Sequence, residues 1–227
     1  MRQVPTVKTL KINGRDLSGR QEETILDVAR QNGIFIPRLC EMDGLTDVGA
    51  CRLCLVEIKG QNKLLPACVT MVEEGMEVTT DSERLQSYRR MILVIDIDAR
   101  ITGLRKPRYW AEIQRRYGGR DPQRFFLVAE DAGRVLGYVV GEVRDWEFGS
   151  PPCGWVFGLG VRPESRLRGT GAKMLDAICA SFRKRGVDKV RTLLARDNSL
   201  VLAFFRSQGM MAAPFIALER DLEEGAD

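Results

Sequence analysis

Residues 7–12 (VKTLKI) alternate apolar and polar side chains, the period of a half-buried strand. Asn13-Gly14 comes next, a strong two-residue hairpin signal, so a second short strand is expected near Arg15–Leu17. From Thr24 to Asn32 the spacing predicts a helix with Ile25, Val28 and Ala29 on one face, stopped by Gly33. Residues 40–54 contain Gly44, Gly49 and three cysteines and predict a loop. Leu55–Ile58 and Val78–Thr80 predict strands. Asp81 or Ser82 suits the N-cap of a further helix. That helix has no Gly or Pro to stop it before Gly103, and Leu85, Tyr88, Ile92 and Ile95 share one of its faces. With no flexible linker, either this helix or a short kink around Leu93–Asp96 joins the N-terminal module to the C-terminal one.

Further along, Phe125–Glu130 and Val135–Val143 predict strands around a turn at Asp131–Arg134, and Trp155–Val161 predicts another. Gly169 to Arg185 reads as an amphipathic helix with Met174, Leu175, Ile178 and Phe182 inward. Lys189–Leu194 is expected to be a strand, Ser199–Gln208 a helix ended by Gly209, and Phe215–Leu222 a final strand. No internal repeat is found.

Composition narrows the chemistry. The chain has 227 residues, 44% of them hydrophobic and 29% charged, which suits one large domain or two small ones. Its net charge of +4 is too mild to argue for nucleic acid. Residues 1–92 hold 13 basic and 13 acidic side chains, and the whole excess lies in residues 93–227. No apolar run approaches the ~20 residues of a membrane span, and no signal-peptide core is seen, so a cytoplasmic location is expected. There is no His, which removes every imidazole base and every His-ligated zinc site.

Four of the six cysteines are clustered as Cys40-x10-Cys51-x2-Cys54-x13-Cys68. A compact loop must aim three thiolates at one centre while a fourth arrives from across the fold. Gly44, Gly49 and Ala50 let the backbone come close to the sulfurs. A four-Cys structural zinc site is the alternative, but such sites usually carry two Cys-x2-Cys pairs and only one is present. The stretch PRLCEMDGLTDVGACRLCLVEIKGQNKLLPACVTMVEEGMEVTTDSERLQSYRR resembles the N-terminal 2Fe-2S ferredoxin domain of the large iron–sulfur subunit of respiratory complex I and of iron-only hydrogenases. The resemblance covers about residues 5–92. It implies a β-grasp fold and a 2Fe-2S cluster on Cys40, Cys51, Cys54 and Cys68.

The second constellation is RPESRLRGTGAKML, which follows the strand GWVFGLGV and opens a helix. A helix N-terminus presents unpaired N–H groups and the positive end of a dipole, which favours a phosphate. Gly169 and Gly171 permit close approach, and Arg166, Arg168 and Lys173 add charge. Alone, this pattern is a tight strand–helix turn. In context, Arg166-Leu-Arg-Gly169-Thr-Gly171 after Gly160-Val161-Arg162-Pro163, with Asn198 and AFFRSQGM downstream, resembles the GNAT acetyltransferase superfamily over about residues 93–222. The resemblance implies acetyl-CoA binding. Its pyrophosphate would lie on the amides of Arg166, Leu167, Arg168, Gly169, Thr170, Gly171 and Ala172. Its pantetheine and thioester would lie along Leu159, Gly160 and Val161, with Asn198 nearby. Two departures are evident: the family's first strand has no counterpart, and its proton-donating Tyr is replaced by Phe205. The base that takes the amine proton is expected to be Glu142, with Glu147 a second candidate; both are otherwise ordinary strand or loop charges. Cys153, after Pro151-Pro152, is expected to be accessible and not catalytic.

Together these features predict an α+β chain of two domains. Residues 1–92 form a β-grasp 2Fe-2S ferredoxin domain, and residues 93–227 a GNAT-type mixed α/β domain lacking its first strand. The function expected is N-acetylation of an amine acceptor from acetyl-CoA, with the cluster as redox sensor or as docking module for an electron-transfer partner. The contrasting reading is an electron-transfer or acyl-CoA-sensing protein on a catalytically silent fold. A homodimer that exchanges strands is one way to replace the missing strand. No nucleic acid or membrane partner is expected.

Overall fold

The computed structural model describes residues 6–38, 49–119, 121–166 and 168–220. Two sheets are formed. The first has the order β2-β1-β5-β3-β4, from β1 (Val7–Ile12), β2 (Arg15–Arg20), β3 (Leu55–Ile58), β4 (Leu65–Pro66) and β5 (Met76–Thr79). β1 and β2 form the expected hairpin, with Asn13 and Gly14 both at positive φ (51° and 79°), as a tight hairpin turn requires. The turn also fixes a distant strand: Asn13 Oδ1 accepts from the Thr80 N–H at 2.9 Å, and the Asn13 N–H donates to the Val78 carbonyl at 2.9 Å. That tie helps hold β5 parallel to β1. Helix α1 (Ile25–Gln31) opens with a reciprocal cap between Thr24 and Asp27 and buries Ile25, Leu26, Val28 and Ala29 against the sheet.

Helix α2 (Glu83–Thr102) is capped by the Ser82 hydroxyl, which accepts from the Leu85 N–H at 3.2 Å, and ends at left-handed Gly103. It is one helix of 20 residues, about 30 Å long at 1.5 Å per residue. No kink interrupts Leu93–Asp96, and the junction expected between residues 92 and 93 falls inside it. Its buried face is Leu85, Met91, Val94, Ile95, Ile97 and Asp98, whereas Tyr88 is 47% exposed. The stripe read from the sequence differs because the two halves of α2 pack on different surfaces, rotated about the helix from one another.

The second sheet has the order β6-β7-β8-β9: β6 (Arg124–Asp131), β7 (Arg134–Arg144), β8 (Cys153–Val161) and β9 (Val190–Arg191). β6, β7 and β8 are antiparallel, and β9 runs parallel to β8. Helix α4 (Thr170–Arg183) covers one face with Met174, Leu175, Ile178 and Phe182, as its periodicity predicts. α2 and α3 (Pro107–Tyr117) cover the other through Met91, Val94, Ile97, Trp110 and Ile113. α4 lies so close that a Cβ on Gly154 would sit 2.4 Å from the Phe182 ring. A buried polar group braces the opposite face. The Asp98 carboxylate accepts from Trp110 Nε1 at 2.9 Å and pairs with Lys106 Nζ at 3.0 Å, while the Tyr138 hydroxyl donates to it at 3.4 Å.

The C-terminal region differs from expectation. The strand expected over Lys189–Leu194 shrinks to Val190–Arg191, and α5 (Ser199–Ser207) comes after it. The final strand expected over Phe215–Leu222 is not formed at residues 215–220, and residues 221 and 222 lie outside the described residues. A strand needs a partner edge, and β9 offers only two residues of one. The segment is apolar yet exposed, with Ile216 at 80% and Leu218 at 92%, and the Arg191 guanidinium lies 4.5 Å over the Phe215 ring. Cys153 is buried at 2%, because β8 begins two residues earlier than expected and carries it into the core.

Gly154→Ala is expected to lower unfolding stability by about 1–3 kcal/mol through overpacking against Phe182. Urea denaturation followed by tryptophan fluorescence measures it; an unchanged midpoint would show that α4 can move away.

Candidate functional site

The cysteines come first in the chain. Cys54 immediately precedes β3 and Cys68 follows β4. Pairing of Leu55 with Pro66 therefore brings the two sulfurs together, 3.3 Å apart and buried. Cys51 is half-buried, and Cys40 lies outside the described residues. Among the described residues, no three His, Cys, Asp or Glu side chains converge as a metal cage. The loop is held from outside the sheet. Arg89 of α2 donates from Nε to the Leu53 carbonyl at 3.1 Å and from Nη2 to the Leu55 carbonyl at 2.9 Å, gripping the backbone on both sides of Cys54. The donor set suits a thiolate-bound iron–sulfur cluster: a close, buried sulfur pair in a loop whose Gly49 takes φ 62°.

The second site lies along β8. β9 pairs with β8 only at Gly154 and Trp155, so the strands part beyond Trp155 and leave the rest of that β8 edge open. Within this stretch β8 carries a bulge. Val140 pairs with Gly158 and Gly141 with Val156, leaving Phe157 as the extra residue. A bulge disrupts the ladder locally and turns backbone groups aside. Leu159 and Val161 pack toward α4 and α5, while Gly160 lies under the Tyr138 ring, where no Cβ would fit.

Beyond Val161 the chain makes a short turn and enters α4. Gly169, at φ 73°, is its N-cap and supplies no side-chain bond to the first amides. Arg166 and Arg168 are exposed, and Thr170, Gly171 and Ala172 are half-buried; Leu167 lies outside the described residues. A Cβ on Gly171 would come 3.2 Å from the Phe204 ring, which would have to shift to admit it. Asn198 caps α5, its Oδ1 accepting from the Val201 N–H at 3.2 Å. Phe205 is buried in the core at 5%, and the Ser207 hydroxyl is spent on the Phe204 carbonyl at 2.7 Å.

Glu142 sits on β7 opposite Trp155. Its Oε2 accepts from the Tyr117 hydroxyl at 2.6 Å, and its Oε1 from Arg144 Nε at 2.9 Å. With Asp121, Arg124, Asp145 and Glu147 it lines an open trough of about 520 Å³. Glu147 is 3.7 Å from Arg144 Nη1, and its Oε2 is buried with no hydrogen-bond partner. Tyr117 links this trough to the bulge, since its ring packs edge-on against Phe157 with centroids 5.3 Å apart. Burial, then the hydrogen bond to Glu142 and its charge, push the Tyr117 phenol up to about 12. Neither Tyr117 nor the Phe157 bulge is found by sequence reasoning. Tyr117 falls in a charged run, Gln114–Arg120, that reads first as a solvated helix end and only second as acceptor-binding, and a bulge is set by strand register.

This arrangement is a mixed sheet whose β8 parts from the edge strand β9 beside a helix N-terminus without a side-chain cap, preceded by a small sheet carrying clustered thiols. Residues 91–210, more than half of the chain, match the acetyltransferase (GNAT) family, and the chain belongs to that family. Residues 6–83 match the 2Fe-2S iron-sulfur cluster binding domain. The N-terminal part is 45% identical over 85 residues to the NADPH-Fe(3+) oxidoreductase subunit alpha of Geobacter sulfurreducens, covering 37% of this chain and 10% of that protein. It is 40% identical over 78 residues to the mitochondrial NADH-ubiquinone oxidoreductase 78 kDa subunit of Candida albicans, covering 34% of this chain and 11% of that protein. The chain thus spans about a tenth of the length of these relatives. The C-terminal fold is similar to that of aminoglycoside N-acetyltransferase AAC(6')-Iy in complex with CoA, with a TM-score of 0.53 at 14% identity, covering 60% of this chain and 90% of that one. No helix among the described residues is long and apolar enough to cross a membrane.

Glu142→Gln is expected to lower the Tyr117 pKa from about 12. Removing the carboxylate charge removes the repulsion that disfavours the phenolate. Alkaline titration at 295 nm, with Tyr117→Phe identifying the tyrosine concerned, reads the shift; no change would place the whole effect on burial.

Proposed function

We propose that the chain transfers an acetyl group from acetyl-CoA to an amine, and that its 2Fe-2S module senses redox state or docks an electron-transfer partner. The observation that carries this reading is the parting of β8 from β9 in front of the uncapped α4 N-terminus. A pyrophosphate fits the amides from Arg166 to Ala172, with Arg168 and Lys173 as further charge. From there the open β8 edge leads back past Val161, Gly160 and Leu159 to the Phe157 bulge. Val161 to Trp155 is about 20 Å of strand. The bulge frees backbone N–H groups for the oxyanion that develops as the amine attacks the thioester carbonyl.

Protons must move from the attacking nitrogen to the departing sulfur. Glu142 is the base in this reading, facing the trough where an acceptor enters. Phe205 has no proton to give, whereas Tyr117 hydrogen-bonds Glu142 and packs on the Phe157 bulge, which makes it the proton donor in this reading. The Tyr117 hydroxyl gives its proton to the sulfur and regains one from protonated Glu142. Cys40, Cys51, Cys54 and Cys68 are the proposed cluster ligands. The cluster supplies one-electron chemistry, which acyl transfer does not use. Its place is therefore regulation or docking, and the Arg89 clamp on the ligand loop ties it to α2 and so to the acetyltransferase sheet.

A second reading keeps acetyl-CoA binding without turnover, and buried Phe205 favours it. Calorimetry separates the two from a third outcome. Acetyl-CoA is expected to bind anaerobically purified protein. Gly171→Val is expected to weaken binding at least about tenfold through the clash with Phe204. Absence of binding with the cluster oxidised and reduced would overturn both readings, and affinity that ignores redox state would leave the cluster a docking module. Over a panel of amines, Glu142→Gln is expected to lower kcat by about 10²–10⁴-fold with little change in the KM for acetyl-CoA. Turnover by that variant at the wild-type rate would remove Glu142 from the mechanism.

A further inference from the structure

We infer that the outer edge of β6 is closed in solution by β6 of a second copy of the chain. Among the described residues β6 is an edge strand, with β7 as its neighbour in the sheet. It is eight residues long, RFFLVAED, and contains no Pro, Gly or Lys. Natural edges are usually short, bulged or broken by such residues, because an open row of N–H and C=O groups recruits another strand. β6 itself stays regular. The register shift near its end is taken up by β7, where Leu136 has no partner between Val135 and Gly137.

The sequence of β6 is complementary to itself when antiparallel. Partners across an antiparallel ladder must both point their backbone groups at each other or both away. A two-fold axis relating two copies must therefore pass through a residue pair, never between residues. Two central registers satisfy this. With Leu127 opposite Leu127 of the second copy, Phe126 meets Val128, Phe125 meets Ala129, and Arg124 meets Glu130. With Val128 on the axis, Phe126 meets Glu130 and Phe125 meets Asp131. Only the first places opposite charges at both ends and apolar pairs between them, Glu130 there meeting Arg124 of the second copy in addition to its 2.6 Å pair with Arg90 in its own chain.

The faces agree as well. Phe125, Leu127 and Ala129 belong to the α4-side core, and Phe126 and Val128 to the α2/α3-side core. Pairing would extend both cores across the axis into one eight-stranded sheet. The contact is isologous, so it closes as a dimer and does not propagate. The exposed segment at residues 215–218 is the rival occupant. Within one chain it lies by β9, at the opposite edge of the sheet, where Arg191 covers Phe215. It could reach β6 only from another copy.

Sedimentation equilibrium on the purified full chain tests the pairing. The wild type is expected to weigh twice one chain. Arg124→Glu sets like charges opposite at both ends and is expected to weaken the dimer about tenfold or more, and adding Glu130→Arg is expected to restore it. Leu127→Cys is expected to form a cross-chain disulfide, since a directly opposed pair has Cα atoms about 4.5–5.5 Å apart. Phe126→Cys, offset from its own copy, is expected not to. A monomeric wild type would overturn the inference. So would a dimer indifferent to Arg124→Glu, or one lost only when residues 211–227 are deleted.

Discussion

Helix α2 carries two loads at once, and the relation between the two halves of the protein depends on it. Its first half faces the small sheet: Ser82 caps it, Leu85 is fully buried, and Arg89 holds the backbone of the cysteine loop. Its second half floors the larger sheet through Met91, Val94 and Ile97. Burial of each such side chain stabilises by about 1.5–3 kcal/mol. The network on Asp98 then fixes α3 and β7 against the same helix. One continuous helix packed at both ends thus joins the thiol loop to the larger sheet with no loop between them.

In the larger domain a defect in pairing opens the backbone of β8. β8 is central, yet its pairing with β9 ends after Trp155. The same strand is bulged at Phe157, beside the hydroxyl-bearing ring that meets Glu142. Elsewhere the sheet is tightly supported, with Phe182 pressed onto Gly154. The open backbone of β8 thus lies beside closely packed parts of the same sheet, and a site preorganised for charge needs such support.

Local chemistry was legible in the sequence. Asn13-Gly14, the Ser82 cap, the Gly103 stop and the Met174–Phe182 stripe each encode their element within a few residues. The convergence of Cys54 and Cys68 agrees with the ligand set that the ferredoxin resemblance implies, and the turn into α4 was legible because Gly169 marks it. What failed depended on distant partners. Residues 215–220 have strand-like composition, but the edge beside them, β9, is only two residues long. Cys153 read as exposed after two prolines and is buried by strand register. Tyr117 and Phe157 meet across forty residues of chain, and neither neighbourhood announces the other.

The double duty of α2 also has a consequence for synthesis on the ribosome. The small sheet cannot close until β5 has emerged, because β5 sits between β1 and β3. α2 emerges directly afterwards and can dock its first half there. Its second half, with Met91, Val94 and Ile97, then has only α3 to pack against until β7 has been made. During that interval the nascent chain presents a greasy, half-finished helix on a completed domain, the kind of surface that holding chaperones recognise. Birth order therefore runs strictly from the thiol-bearing half to the other, and the same helix that makes the mature protein rigid is the last part of the first half to find shelter.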